Sequence, residues 1–204
     1  MTSLDAFLLD YEDAPSKRKI LRSALCLFVR DGLSETSIRE IGRAAGYTNP
    51  ALYKFFPSKE ALALRLFERC YAHVFATIKR SQEKDQPLKM RVGSLVGAFV
   101  ALVDESLDAV LYVDENLRAF WPRLPQAARR HSVLHVLGGL VEAGRREAAL
   151  SPVLDIELAV AMLTGTMSQI ARMVYFDEIV RPLSSHATQL QTLFLSALKG
   201  RASR

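Results

Sequence analysis

Residues 36–56 read TSIREIGRAAGYTNPALYKFF, two short amphipathic patterns hinged on Gly46. Ser37, Ile38, Arg39 and Glu40 fit a capping box, in which the serine hydroxyl accepts from the amide three residues on while the glutamate reaches back to the serine amide. A helix therefore starts at Ser37. Ile38, Ile41 and Ala45 form a single apolar stripe, too short and narrow to stand alone, and Gly46 can take the left-handed conformation that turns the chain sharply. Thr48 suits a second N-cap, and Pro50 falls in the first turn, where its missing amide hydrogen costs little. A second short helix follows, with Leu52, Phe55 and Phe56 inward and Thr48, Asn49, Tyr53 and Lys54 on its open side.

Outward from this stretch the pattern stays helical. Apolar positions recur at three and four between the prolines at 57, 87, 122, 125, 152 and 182, with no alternating run of β-branched residues. A first helix from about Lys17 to Asp31 places Ile20, Ala24, Leu27 and Phe28 on one side and stops at Gly32. After Pro57, Ser58 caps a long helix reaching to about residue 80. Five more helices are expected over residues 88–108, 111–121, 126–149, 154–177 and 185–199, giving an all-α fold of about nine helices. Residues 1–13 read as a tail, 14–60 as a small N-terminal unit with its motif at 37–56, and 61–204 as a larger unit entered through the long helix 58–80.

The composition sets limits. The 204 residues are half hydrophobic and about a quarter charged, which excludes wholesale disorder. Two cysteines, Cys26 and Cys70, are too few for a disulfide framework. The acidic start, with Asp5, Asp10, Glu12 and Asp13 ahead of Lys17, is opposite to a secretory signal, so a cytoplasmic location is expected. The uncharged run Leu158 to Ala171 is short of a membrane span and includes Thr164, Thr166, Ser168 and Gln169. Between residues 14 and 60, nine bases (Lys17, Arg18, Lys19, Arg22, Arg30, Arg39, Arg43, Lys54, Lys59) outnumber four acids (Asp31, Glu35, Glu40, Glu60), a local net charge of +5. A basic N-terminal unit points to a polyanion.

Two short helices joined by a glycine turn and backed by a preceding helix make a helix-turn-helix, whose second helix can enter the major groove of DNA. The segment ILRSALCLFVRDGLSETSIREIGRAAGYTNPALYKFFPSKEAL closely resembles the N-terminal domain of the TetR family of transcriptional regulators. It matches the family pattern of a first helix with LF and G, then TS, I, AG, LY, F and SKE. The resemblance implies a DNA-binding regulator in which Ser37, Tyr53 and Lys59 contact backbone phosphates. Such contacts orient the protein on the duplex; they do not specify sequence. Asn49 is the candidate base reader, since its amide can pair bidentately with adenine N6 and N7. Pro50 and Ala51 can touch a thymine methyl, and Thr48, Lys54 and Arg39 flank the readers. Three positions depart from the family pattern. Phe55 stands where many relatives have a phosphate-contacting histidine, Gly42 replaces a small alanine, and Tyr47 replaces a small aliphatic residue in the turn.

The resemblance further implies that the larger unit senses a ligand and dimerises. The helix 158–171 is apolar or small all round, so it must be covered on more than one side, by the core and by a second subunit that also packs on HATQLQTLFLSALK. Two recognition helices one DNA turn apart, about 34 Å, likewise need a twofold partner and a pseudo-palindromic operator. Phe99, Tyr112, Phe120, Trp121, Leu134, Met162 and Met173 are the candidate lining of an apolar effector pocket, with Tyr112 or Trp121 as a polar handle. The acidic segment VDESLDAVLYVDEN beside these rings would suit a lipophilic cation.

No catalytic residues, resident cofactor or metal site are expected. His131 and His135 are four apart but lack a third ligand nearby, and no nucleophile elbow, phosphate loop or HExxH motif appears. Cys26, in step with Arg22 and Arg30, is the only thiol placed for redox sensing. The function expected is that of a homodimeric, ligand-responsive repressor. The competing readings are a small helical enzyme, disfavoured by the missing motifs, and a DNA-binding adaptor whose larger unit holds another protein.

Overall fold

The computed structural model describes residues 8, 15–82, 86–126, 129 and 132–199. Among these, eight α-helices and no strands occur: α1 (Pro15–Asp31), α2 (Ile38–Ala45), α3 (Asn49–Tyr53), α4 (Lys59–Arg80), α5 (Leu88–Phe120), α6 (Val133–Arg146), α7 (Ile156–Tyr175) and α8 (Ala187–Lys199). Short 3-10 turns occupy Trp121–Arg123 and Leu183–His186. The sequence predicts separate helices over 88–108 and 111–121. Two helical segments do occur there, joined within the 33-residue α5 across a kink at Ser106, whose φ of −145° and ψ of 35° are not helical; the kink falls two residues before the expected break. Part of the helix predicted over 126–149, including His131, lies outside the described residues, as does the N-terminal tail apart from Leu8.

Contacts divide the chain into two compact units, one running up to Val74 together with Asp108–Leu124, the other comprising Phe75–Leu107 and the residues from Pro125 onward. The first unit thus extends beyond the boundary at residue 60 read from the sequence. Its reason is aromatic. Leu62, Ala63, Leu66 and Phe67 on α4 are fully buried; the Phe67 ring lies 5.5 Å from Phe120, and Tyr71 meets Trp121 edge-on at 5.2 Å. Tyr112 stacks on Phe28 of α1 at 5.8 Å and donates its hydroxyl proton to the Ala63 carbonyl at 3.0 Å. Contacts of this kind join residues up to 84 positions apart (Phe28 and Tyr112), so no local signal announces them. Leu8 is buried in this unit as well, its carbonyl accepting from Arg69 at 2.6 Å.

In the second unit α6 packs on α7, and α8 crosses α5 where Gly93 leaves room. A Cβ at Gly93 would stand 2.7 Å from the Gln191 amide nitrogen, which donates to the Lys89 carbonyl at 2.9 Å. The Asp104 carboxylate accepts from the amides of Leu183 and Ser184 at 2.7 and 3.0 Å, satisfying the open end of the turn before α8. No described helix is long and apolar enough to cross a membrane.

Candidate nucleic-acid interface

The helix-turn-helix is built from caps. The Ser37 hydroxyl accepts from the Glu40 amide at 3.2 Å, and the Glu40 carboxylate accepts from the Ser37 amide at 2.7 Å, so the capping box expected from the sequence is present. The Ser37 hydroxyl donates to the same carboxylate at 2.7 Å. These bonds to Ser37, its hydroxyl foremost, hold the Glu40 carboxyl below the usual carboxylate range. At the other end of α2, Gly46 adopts φ 75°, the left-handed turn that glycine accommodates. Thr48 is the N-cap of α3 without a side-chain bond of its own. Its carbonyl accepts from Ala51 and Leu52, and the five-residue helix is anchored by Leu52 and Phe56, both buried. Phe55, expected inward, is only half-buried.

Gly42 acquires a reason here. A Cβ on it would lie 2.8 Å from the Tyr47 carbonyl oxygen and 3.3 Å from the Asn49 side-chain oxygen, and the Tyr47 amide bonds the Gly42 carbonyl at 2.9 Å. The missing side chain lets the turn close onto α2, which accounts for Gly42; the contact uses only the backbone of Tyr47. Asn49 is half-buried and held near Gly42. In the sequence Gly42 registers only as a departure from a small alanine, because its neighbour across the turn is a backbone atom.

Of the other candidates, Ser37, Arg39, Thr48, Pro50 and Lys54 are exposed and Ala51 half-buried. Tyr53 is 52% exposed, an aromatic side chain without a hydrogen bond among the described residues. Arg43, also exposed, follows Arg39 by four positions and so shares its helix face. Lys59 is placed differently. Its ammonium donates to the carbonyls of Leu33, Ser34 and Thr36 at 2.9, 3.2 and 3.0 Å, which occupies all three of its donors. Lys59 thereby ties the loop before α2 to the start of α4.

The seven residues chosen for an effector pocket fall in both units. Tyr112, Phe120 and Trp121 belong to the first unit, and Phe99, Leu134, Met162 and Met173 to the second. Tyr112 is fully buried with its hydroxyl committed to Ala63, and burial, with the nearby Cys70, pushes its pKa up; its polar handle serves packing. Leu134 is exposed. The open cleft of the second unit, about 950 Å³, is lined by none of the seven; Gln82, Gln86, Pro87 and Arg91 face Val136, Gly139, Leu140, Ala143, Arg146 and Glu147. The acidic run is committed too, with Asp104 capping the turn at Leu183. Asp108 lies 3.9 Å from Cys26; partial burial and this carboxylate raise the Cys26 pKa, which makes the thiol less reactive. His135 is exposed, and no three metal-ligating side chains converge among the described residues.

With this geometry in view, the comparisons are informative. Residues 20–66 match the family model described as bacterial regulatory proteins, tetR family. The chain is 26% identical over 151 residues to the HTH-type transcriptional repressor KstR2 of Mycobacterium tuberculosis, covering 72% of this chain and 76% of that one. Its fold superimposes on a bacterial regulatory protein of the tetR family from Rhodococcus RHA1 with a TM-score of 0.79, at 23% identity over 94% of this chain and 100% of the other. It also resembles the transcriptional regulator FadR from Bacillus subtilis, solved in complex with stearoyl-CoA, with a TM-score of 0.64, 18% identity and coverage of 87% and 97%. The capped helix-turn-helix, its match to the family model and the similarity to regulators along most of the chain agree: this protein is a DNA-binding transcriptional regulator whose N-terminal domain, over residues 20–66, is that of the tetR family of bacterial regulatory proteins.

Proposed function

We propose that the chain is a ligand-responsive repressor that grips a pseudo-palindromic operator as a homodimer. The observation that carries the DNA-reading role is α3, a five-residue helix fixed by a glycine turn on one side and by Leu52 and Phe56 beneath. Such a helix has little stability of its own. Asn49 reads a base, Ser37 and Tyr53 accept the register of the phosphate backbone, Pro50 and Ala51 meet a thymine methyl, and Arg39, Thr48 and Lys54 flank them. Lys59 acts on the DNA contact through the loop it holds, keeping Ser37 in place.

Repression is supported by the similarity to KstR2, itself a repressor. Dimerisation is supported by exposed apolar side chains on α7 and α8. Leu158 is 70% exposed and Leu193 60%, and Ala161 and Gly165 lie exposed on the helix between Leu158 and Phe176. The spacing 158, 161, 165, 169, 172, 176 keeps one helical face, whose polar members Gln169 and Arg172 are hydrogen-bonded to each other at 3.3 Å, and exposed apolar positions grouped in this way mark an interaction surface. An effector in the second unit would act through α4, a continuous 22-residue helix that begins at Lys59 and enters the second unit after Val74.

Selecting bound sequences from random duplex DNA, together with the mass of the protein by light scattering, tests this reading. A twofold-related site and a dimeric mass that Leu158→Glu converts to monomer are expected. A monomer that binds DNA without sequence preference would overturn it.

A further inference from the structure

The cleft of the second unit has an unfinished polar wall. Arg91 is only 8% exposed; one terminal nitrogen donates to the Glu147 carboxylate, while its buried Nε has no partner. Beside it, the Gln82 amide nitrogen donates to the Ser81 hydroxyl at 2.9 Å and to the Arg91 carbonyl at 3.4 Å. Because a carbonyl can only accept, this fixes the amide orientation and leaves the Gln82 Oε1 buried and unpartnered. The two side chains line the same cleft, and each buries one polar atom with nothing to bond, a state that folded proteins rarely tolerate.

The facing wall is different. Val136, Gly139, Leu140 and Ala143 follow one another by three, one and three positions along α6 and line the cleft together, an apolar face without a polar side chain. A Cβ at Gly139 would meet nothing within 4 Å, so this wall is open. Arg146 adds a second cation, and against Glu147 the ionisable lining of Arg91, Arg146 and Glu147 carries a net charge of +1. Water could bridge the two orphan groups, but water has no use for an apolar face in a cleft of about 950 Å³, a volume on the scale of small-molecule sites.

We infer that this cleft is the effector site and that the effector is an amphiphilic carboxylate carrying a hydroxyl near its charged end. The carboxylate accepts from Arg146 and from the Arg91 guanidinium, the Gln82 and Arg91 side chains turn to present the atoms they bury in the ligand-free chain, Gln82 Oε1 then accepts from the hydroxyl, and the aliphatic body lies on the α6 face. This rests on the proposed ligand response.

The test is calorimetric titration of the full-length protein with 3-hydroxydecanoate, decanoate and 1-decanol. Loss of one charge-assisted hydrogen bond corresponds to roughly a tenfold change in affinity. Affinity should fall in that order, decanol being at least about tenfold weaker than decanoate. Gly139→Leu projects a side chain into the cleft and replaces a poor helix former, so the variant should fold; it should weaken every ligand by about tenfold or more. Arg146→Gln should weaken the two carboxylates and leave decanol unchanged. Equal binding of carboxylate and alcohol, no binding of any probe, or wild-type affinity in Gly139→Leu would each overturn the inference. Operator affinity of the ligand-free protein is measured alongside. A protein that binds its operator but fails these titrations loses the ligand assignment and keeps the DNA-binding reading.

Discussion

Two glycine-bearing regions divide the work of this molecule, and their polar groups are arranged in opposite ways. In the helix-turn-helix, polar groups close on one another: Ser37 and Glu40 cap each other, Lys59 fills its three donors with loop carbonyls, and the Tyr47 carbonyl occupies the space where Gly42 lacks a side chain. In the cleft of the second unit, Arg91 Nε and Gln82 Oε1 are buried without partners, and Gly139 faces open space. A region that must present fixed contacts to DNA is completed internally. The region proposed to answer to a ligand keeps bonding capacity in reserve.

Several substitutions can break or sharpen that contrast. The largest effect is expected where the first unit's aromatic core is cut. Phe67→Ala should cost about 3–5 kcal/mol, measured by urea denaturation, and a loss under about 1 kcal/mol would mean that the Phe67–Phe120 contact does not hold the unit. Gly42→Ala tests the closed turn directly. Despite a better helix former, it should destabilise by about 1–3 kcal/mol, because a backbone carbonyl must move. Gly139→Ala should do the reverse, stabilising by about 0.5–1 kcal/mol, as expected for alanine at an open helical site. Opposite signs for the same chemical change at two helical glycines would confirm the contrast; matching signs would remove it.

A comparably small effect belongs to the cap. Ser37→Ala should cost roughly 1 kcal/mol. The Glu40 carboxyl is held below its ordinary range by its bonds to Ser37, so its folded pKa lies under its unfolded one. The contribution of that linkage is therefore fully present above the ordinary glutamate range and fades as pH falls through the folded value. The stability difference between wild type and Ser37→Ala should shrink in acid and stay level near neutral pH. A difference that grows on acidification would contradict the assigned bonds.

How much of this was legible in the sequence follows from range. The capping box at Ser37, the left-handed Gly46 and the cap at Ser58, whose hydroxyl accepts from the Ala61 amide at 3.0 Å, are written within four residues and were readable. Gly42 looked like a mere departure from a small alanine, because its partner is the Tyr47 carbonyl and backbone atoms leave no trace in residue type. Lys59 looked like a phosphate contact, because the carbonyls it meets lie 23 to 26 residues away. The rings chosen for a pocket are the first unit's packing in the case of Tyr112, Phe120 and Trp121, and aromatic residues read the same in a core or a cavity. The cleft escaped notice since its charged half comes from residues 82–91 and its apolar half from residues 136–147, with nothing local to connect them.

The central claim is that the side of α3 bearing Asn49 and Tyr53 meets DNA with reading and positioning divided between them. Fluorescence anisotropy with the selected operator and a scrambled duplex, at one fixed salt concentration, measures both at once for wild type, Asn49→Ala and Tyr53→Phe. Asn49→Ala should lower the ratio of operator to scrambled affinity by about tenfold, within the 1–3 kcal/mol worth of a bidentate base contact. Tyr53→Phe should weaken both duplexes by a similar factor and leave the ratio intact. Unchanged binding in both variants, or a ratio that follows Tyr53 instead of Asn49, would contradict the account.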